Sequence, residues 1–147
     1  YVRSLTPPKS GSVADDGIPA ANAPAPVKRG FDLFVGAGGC GSCHVPGSFD
    51  KAEPEDVGTD GKFKVPSLRN VAVTFPYMHD GRFQTLRQVI EHYNTDVVAN
   101  SPNLDPSMVG LVNGLGLTQQ DISDLIAFLE TLTDESYLNN PAYASPF

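Results

Sequence analysis

The sequence predicts an all-α domain with long loops, on three observations. Segments 85–94 and 118–132 each place apolar residues at helical spacing behind a threonine cap. Segment 26–35 does the same behind a proline. The stretches between them are rich in Gly, Pro, Asn and Asp and hold no steady apolar period or internal repeat, so they read as loops. Apolar residues are 40% of the 147, enough for one core.

Along the chain, residues 1–6 (YVRSLT) read as the last turn of a helix with nothing in front of it, either a tail or the cut edge of a preceding domain. Residues 7–26 hold five prolines, five alanines and two glycines with almost no large apolar side chain, the composition of a linker. The expected division is 1–26 linker or tail and 27–147 one domain. In helix 26–35, Pro26 suits the first turn, and Val27, Phe31, Phe34 and Val35 form an apolar face. Residues 49–64 are polar, carry turn signals at 56–58 and 60–61, and are read as loop; 65–75 is irregular and 76–81 a turn. In 85–94, Thr85 and Gln88 make a capping box, Leu86, Val89, Ile90 and Tyr93 make one stripe, and Asn94 ends the helix. After a loop-like 95–117, Thr118 and Asp121 cap the last helix, whose stripe is Ile122, Leu125, Ile126, Leu129 and Leu132.

The formal charge of −7 argues against a nucleic-acid surface and for a basic or locally basic partner. No apolar run reaches the roughly 18 residues of a membrane span, and no leader pattern is visible. An opening at Tyr1 fits processing or truncation.

Both cysteines stand in Cys-Gly-Ser-Cys-His, as Cys40 and Cys43 with His44 directly behind. Four readings compete. A disulfide over two intervening residues closes too small a loop to stabilise much. A redox pair of the thioredoxin kind needs a βαβ setting that is not apparent. Zinc needs a further soft ligand, and there is no third cysteine. Covalent haem uses every position: two thioethers to the vinyl groups and an adjacent imidazole to the iron. The fold class therefore sharpens to a cytochrome c-like haem domain, with one haem c and an extracytoplasmic, for example periplasmic, location. The glycines at 36, 38, 39 and 41 let the backbone turn tightly beside the macrocycle.

With His44 on one face of the iron, the other face sorts electron carriers from catalysts. Five residues compete for it. Met78 and His79 lie in the turn after Pro76, where Met78 is a ligand or an apolar plug and His79 a ligand or a hydrogen-bonding neighbour. Met108 is 64 residues past His44, far enough to reach the other face. His92 falls about 100° off the apolar stripe, toward the helix edge or water. Tyr93 is on the stripe, so its phenol points inward and needs a partner. Lys28, Arg29 and Arg69 are candidates to neutralise haem propionates.

Residues 64–86, KVPSLRNVAVTFPYMHDGRFQTL, resemble the C-terminal haem domain of the bacterial di-haem cytochrome c peroxidase and MauG family. The resemblance continues through GLTQQDISDLIAFL at 116–129 and the ending LNNPAYASPF, covering roughly 27–147. It implies His44 as proximal ligand and Tyr93 at the distal position, where peroxidase members carry methionine and the MauG branch tyrosine. Arg69, Met78 and His79 stand as candidate cofactor contacts on the residues alone; the resemblance adds an interdomain calcium held in part by the backbone carbonyls of Thr74 and Pro76. It also implies a redox partner protein and a second haem domain or subunit, because family members have two haems and this chain has one such motif and no tryptophan. The activity implied is electron passage in peroxide-linked oxidation, with Tyr93 catalytic. The competing reading is a mono-haem electron carrier with Met78 or Met108 on iron.

Overall fold

In the computed structural model the described residues are 16–55, 61–98, 100 and 104–143. The tail at 1–6, the first half of the proposed linker, all of 56–60 and the last four residues lie outside them. Among the described residues four helices carry the fold: α1 Ala25–Val35, α2 Leu86–Thr95, α3 Gln119–Glu130 and α4 Glu135–Leu138. Short 3₁₀ turns stand at Cys40–Ser42, Val71–Val73, Pro106–Leu111 and Pro141–Tyr143. A two-stranded antiparallel ribbon, β1 Pro54–Glu55 and β2 Phe63–Lys64, pairs Pro54 with Lys64 and Glu55 with Phe63. Its strands sit inside the predicted loop; two residues are too few to show a period. The four residues of α4 are too short for the same reason, and only its cap, Asp134 accepting from the Tyr137 N–H, marks it.

Both predicted capping boxes form. Thr85 accepts from the Gln88 N–H while the Gln88 side chain bonds back, and Thr118 does the same with Asp121. Helix α1 starts with Pro26 in its first turn and buries Val27, Gly30 and Phe34. Val35, expected on that face, is 47% exposed: the buried stripe passes through Gly30, and Val35 falls outside it.

The core is the crossing of α1 on α3. Gly30 permits it, since a Cβ there would lie 2.0 Å from the Asp124 carbonyl oxygen and 2.8 Å from Phe128 Cβ. Phe34, Phe49 and Phe128 then pack ring on ring, with centroids 5.3 to 6.2 Å apart. The same crossing explains Arg29. Its Nε and Nη2 donate to Asp124 at 2.7 and 3.1 Å, with Asp124 buried beneath and also accepting from Gln120 at 3.0 Å. Arg29 is therefore engaged between helices and is not a propionate cation. Lys28 turns instead to the Ala21 carbonyl. Part of the proposed linker also packs on the domain: Ala23 is buried, and Gly17 lies under the Phe49 ring.

Residues 65–75 are pinned to the end of α3. Asn70 N–H donates to the Leu132 carbonyl at 3.0 Å, and the Asn70 side chain accepts from Asp134 N–H at 2.6 Å. This bond pair brings the segment that resembles the peroxidase family against the α1–α3 core.

Candidate functional site

The cysteine motif follows α1 through Gly39, whose φ of +65° a side chain would strain. The Cys43 and His44 N–H groups both donate to the Cys40 carbonyl, at 3.2 and 2.8 Å, so one tight turn sets the three side chains together. Cys40, Cys43 and His44 all line a cavity of about 650 Å³. Leu86, Val89, Ile90 and Tyr93, the whole stripe of α2, form a second wall, and Leu125 and Leu129 of α3 a third. The volume is that of a site built for a sizeable organic group.

His44 Nδ1 lies 3.0 Å from the Phe49 carbonyl oxygen. With its proton on Nδ1 the ring donates to that carbonyl and keeps the Nε2 lone pair for a metal. Burial lowers the His44 pKa and so favours the neutral imidazole that a metal requires. Burial also pushes the Cys40 thiol up to about 11. Cys40 and Cys43 are not joined to each other in this structure, and thioether formation needs both sulfurs free. Among the described residues no cluster of three His, Cys, Asp or Glu side chains stands together.

Tyr93 stands on the cavity wall as its helix face required. Burial, with the nearby Cys40 and Cys43 adding a smaller effect, raises its phenol well above the usual tyrosine value. Met78 and Met108 line the same cavity; Met78 does so at φ +69°, and Met108 is buried. His79 stacks on Phe63 at 3.8 Å and 11°, and both rings line the cavity. Thr74 and Pro76 are on its rim as well. Arg69 is not on the lining. It donates to the Gly47 carbonyl and braces the loop behind His44, while its buried Nη1 has no hydrogen-bond partner among the described residues.

His92 is the clear miss. Expected at the helix edge, it is 5% exposed, because the 77–83 turn folds over that side of α2 and lays Phe83 on the imidazole at 5.5 Å. Periodicity identifies the face that meets the core, and a covering loop buries a second face without changing the pattern. Two further partners had no signal in the sequence: the Phe49 carbonyl that orients His44, and the bonds from Asn94 to Leu117.

The residues present fit a covalently held haem. Two thiols one turn apart and an imidazole already bonded at its outer nitrogen face one apolar-walled cavity. The cytochrome c family model matches residues 27–133. The chain belongs to the cytochrome c family. Covalent haem c is the cofactor of that family.

Among relatives, the methylamine utilization protein MauG of Paracoccus denitrificans is 42% identical over 118 residues, 69% of this chain and 30% of the relative. Cytochrome c551 peroxidase of Nitrosomonas europaea is 30% identical over 129 residues, 73% of this chain and 34% of the relative. Among solved structures, a MauG-like protein associated with microbial copper homeostasis superposes with a TM-score of 0.72 at 31% identity, covering 90% of this chain and 54% of that one. The diheme peroxidase BthA of Burkholderia thailandensis gives 0.58 at 25% identity, over 80% of this chain and 45% of that one. This cytochrome c domain is thus related to MauG and the cytochrome c peroxidases, and it spans about a third of the length of these curated relatives. Among the described residues no helix is long and apolar enough to cross a membrane.

Proposed function

We propose that this chain is the haem c redox domain of a MauG- or peroxidase-like oxidoreductase, with His44 and Tyr93 in the two axial positions and electrons passing through it in peroxide-linked oxidation. The observation that carries the reading is the convergence of Cys40, Cys43, His44 and Tyr93 on one cavity. Bound haem c supplies a one-electron couple tuned by its axial ligands. Cys40 and Cys43 would hold the porphyrin through thioether bonds. His44 presents Nε2, and the Phe49 carbonyl holds the ring against rotation. The stripe of α2 and Leu125 and Leu129 of α3 line the cavity with apolar side chains that would exclude water around the bound group. Tyr93 is poised as a phenol that keeps its proton unless a cation stands close by, since burial disfavours the bare phenolate. As a ligand it donates charge and lowers the potential relative to methionine.

The same reading extends to what surrounds the domain. A second haem domain or subunit and a separate redox partner complete the electron path, and an extracytoplasmic compartment such as the periplasm is where thioethers are made. Calcium enters only through the carbonyls of Thr74 and Pro76, with ligands completed by another domain.

The test is the ferric spectrum of the matured domain. Tyr93→Phe is expected to change it sharply; an unchanged spectrum removes tyrosine from the iron. One observation favours a second reading, an electron carrier with His/Met ligation: Met108 is buried on the same cavity. A methionine-to-iron charge-transfer band, abolished by Met108→Leu and untouched by Tyr93→Phe, identifies that case.

A further inference from the structure

We infer that Asn94 is a positioning residue for Tyr93, fixing the end of α2 so that the phenol is held on the cavity that His44 also lines. The inference rests on the Tyr93 ligation proposed above. Tyr93 sits in the last turn of α2, where the helix has few bonds of its own beyond it and would fray. Asn94 ties that turn to the segment before α3 by three bonds. Its Nδ2 donates to the Leu117 carbonyl at 3.1 Å, its Oδ1 accepts from the Leu117 N–H at 2.9 Å, and its own carbonyl accepts from the Leu115 N–H at 3.2 Å. Gly114, at φ +83°, makes room for this contact: a Cβ there would stand 2.5 Å from the Asn94 carbonyl oxygen.

The far side of the clamp is rigid. Leu117 is buried and directly precedes Thr118, the cap of α3, and α3 carries Leu125 and Leu129 into the cavity. Asn94 therefore references the end of α2 to the same helix that packs on α1 and, through α1, on the cysteine motif. A second tie between α2 and α3, Arg87 to Gln119 and Ser123 at 2.9 and 3.2 Å, acts about two turns earlier and is exposed to water. The chemistry of the clamp is specific to asparagine. It needs a donor and an acceptor in one plane on a short stem: aspartate supplies only the acceptor, and glutamine reaches one methylene too far.

The experiment uses the matured, haem-loaded domain carrying Asn94→Asp, Asn94→Ala or Gly114→Ala, each in the Tyr93 and the Tyr93→Phe backgrounds, read by ferric absorption and electron paramagnetic resonance. In the Tyr93 background the population lacking the tyrosinate signature is expected to rise about tenfold, the effect of leaving one buried polar group without its partner. In the Tyr93→Phe background the same changes are expected to leave the spectrum unmoved. If Tyr93→Phe itself alters nothing, the ligation and this inference fall together. If Tyr93→Phe alters the spectrum and neither Asn94→Asp nor Gly114→Ala does, the positioning role alone is overturned. Equal changes in both backgrounds also overturn it, because they mark a merely structural residue. Asn94→Asp, which keeps the acceptor for Leu117, is the mild variant should Asn94→Ala not fold.

Discussion

Replacing Gly30 with alanine sets two physical effects against each other, and the structure decides between them. In a helix interior, alanine is favoured over glycine by about 1 kcal/mol. Position 30, however, is where α1 lies on α3. The added Cβ would stand 2.0 Å from a backbone oxygen, that of Asp124, and Cβ atoms essentially never approach closer than 3.0 Å. A flexible side chain could swing away; a carbonyl inside α3 cannot. The helices must separate by about 1 Å, and a gap of that size forfeits a quarter to a half of each dispersion contact across it. The contacts at stake include Phe34 against Phe128 at 5.3 Å and the Arg29 to Asp124 bonds. Overpacking of this kind costs about 1–3 kcal/mol, and a backbone clash belongs at the upper end. After the propensity gain, Gly30→Ala is expected to be destabilising by about 2 kcal/mol, or a fall in Tm of roughly 5–10 °C for a domain of this size. Thermal and denaturant unfolding of the haem-loaded protein measure it. A midpoint equal to or above that of the parent would refute the argument that close approach of α1 and α3 holds the haem cavity in shape.

Other consequences follow from the same packing and from the site. The Arg29 guanidinium holds the Asp124 carboxyl below its ordinary value, so the pair stabilises the fold above the unfolded carboxylate pKa and ceases to do so as pH falls through the lower folded value. Asp124→Asn is then expected to be less stable than the parent at neutral pH, with the difference shrinking in acid; unfolding midpoints across an acid pH series show whether the curves converge. Phe128→Ala removes the ring shared by Phe31, Phe34 and Phe49 and is expected to cost about 3–5 kcal/mol, measured as a shift in denaturant midpoint. His44→Gly is expected to lose the axial imidazole while the thioethers still form, giving coloured protein with an altered spectrum that added imidazole restores.

How much of this was legible in the sequence depends on how local each signal is. The helices over Thr85, Thr118 and Pro26 announced themselves because caps and apolar stripes lie within one or two turns of the residues they order. The inward direction of Tyr93 was legible for the same reason. The burial of His92 was not, since it depends on a turn placed by the pairing of Tyr77 with Phe83, outside α2. Arg29 gave no sign of its partner because Asp124 lies 95 positions away and is brought to it only by the crossing at Gly30. The resemblance of residues 64–86 to the peroxidase family supplied what periodicity could not, a reason to look at Tyr93 rather than at either methionine.

On this reading Cys40 and Cys43 carry a porphyrin through thioether bonds, and His44 supplies a ligand to its iron. Intact mass of the chain, produced with cytochrome c maturation and then denatured, decides the matter. The expected result is one haem added to the polypeptide mass, with colour that acidic organic solvent does not extract. Bare polypeptide mass, or haem that washes out, would contradict it.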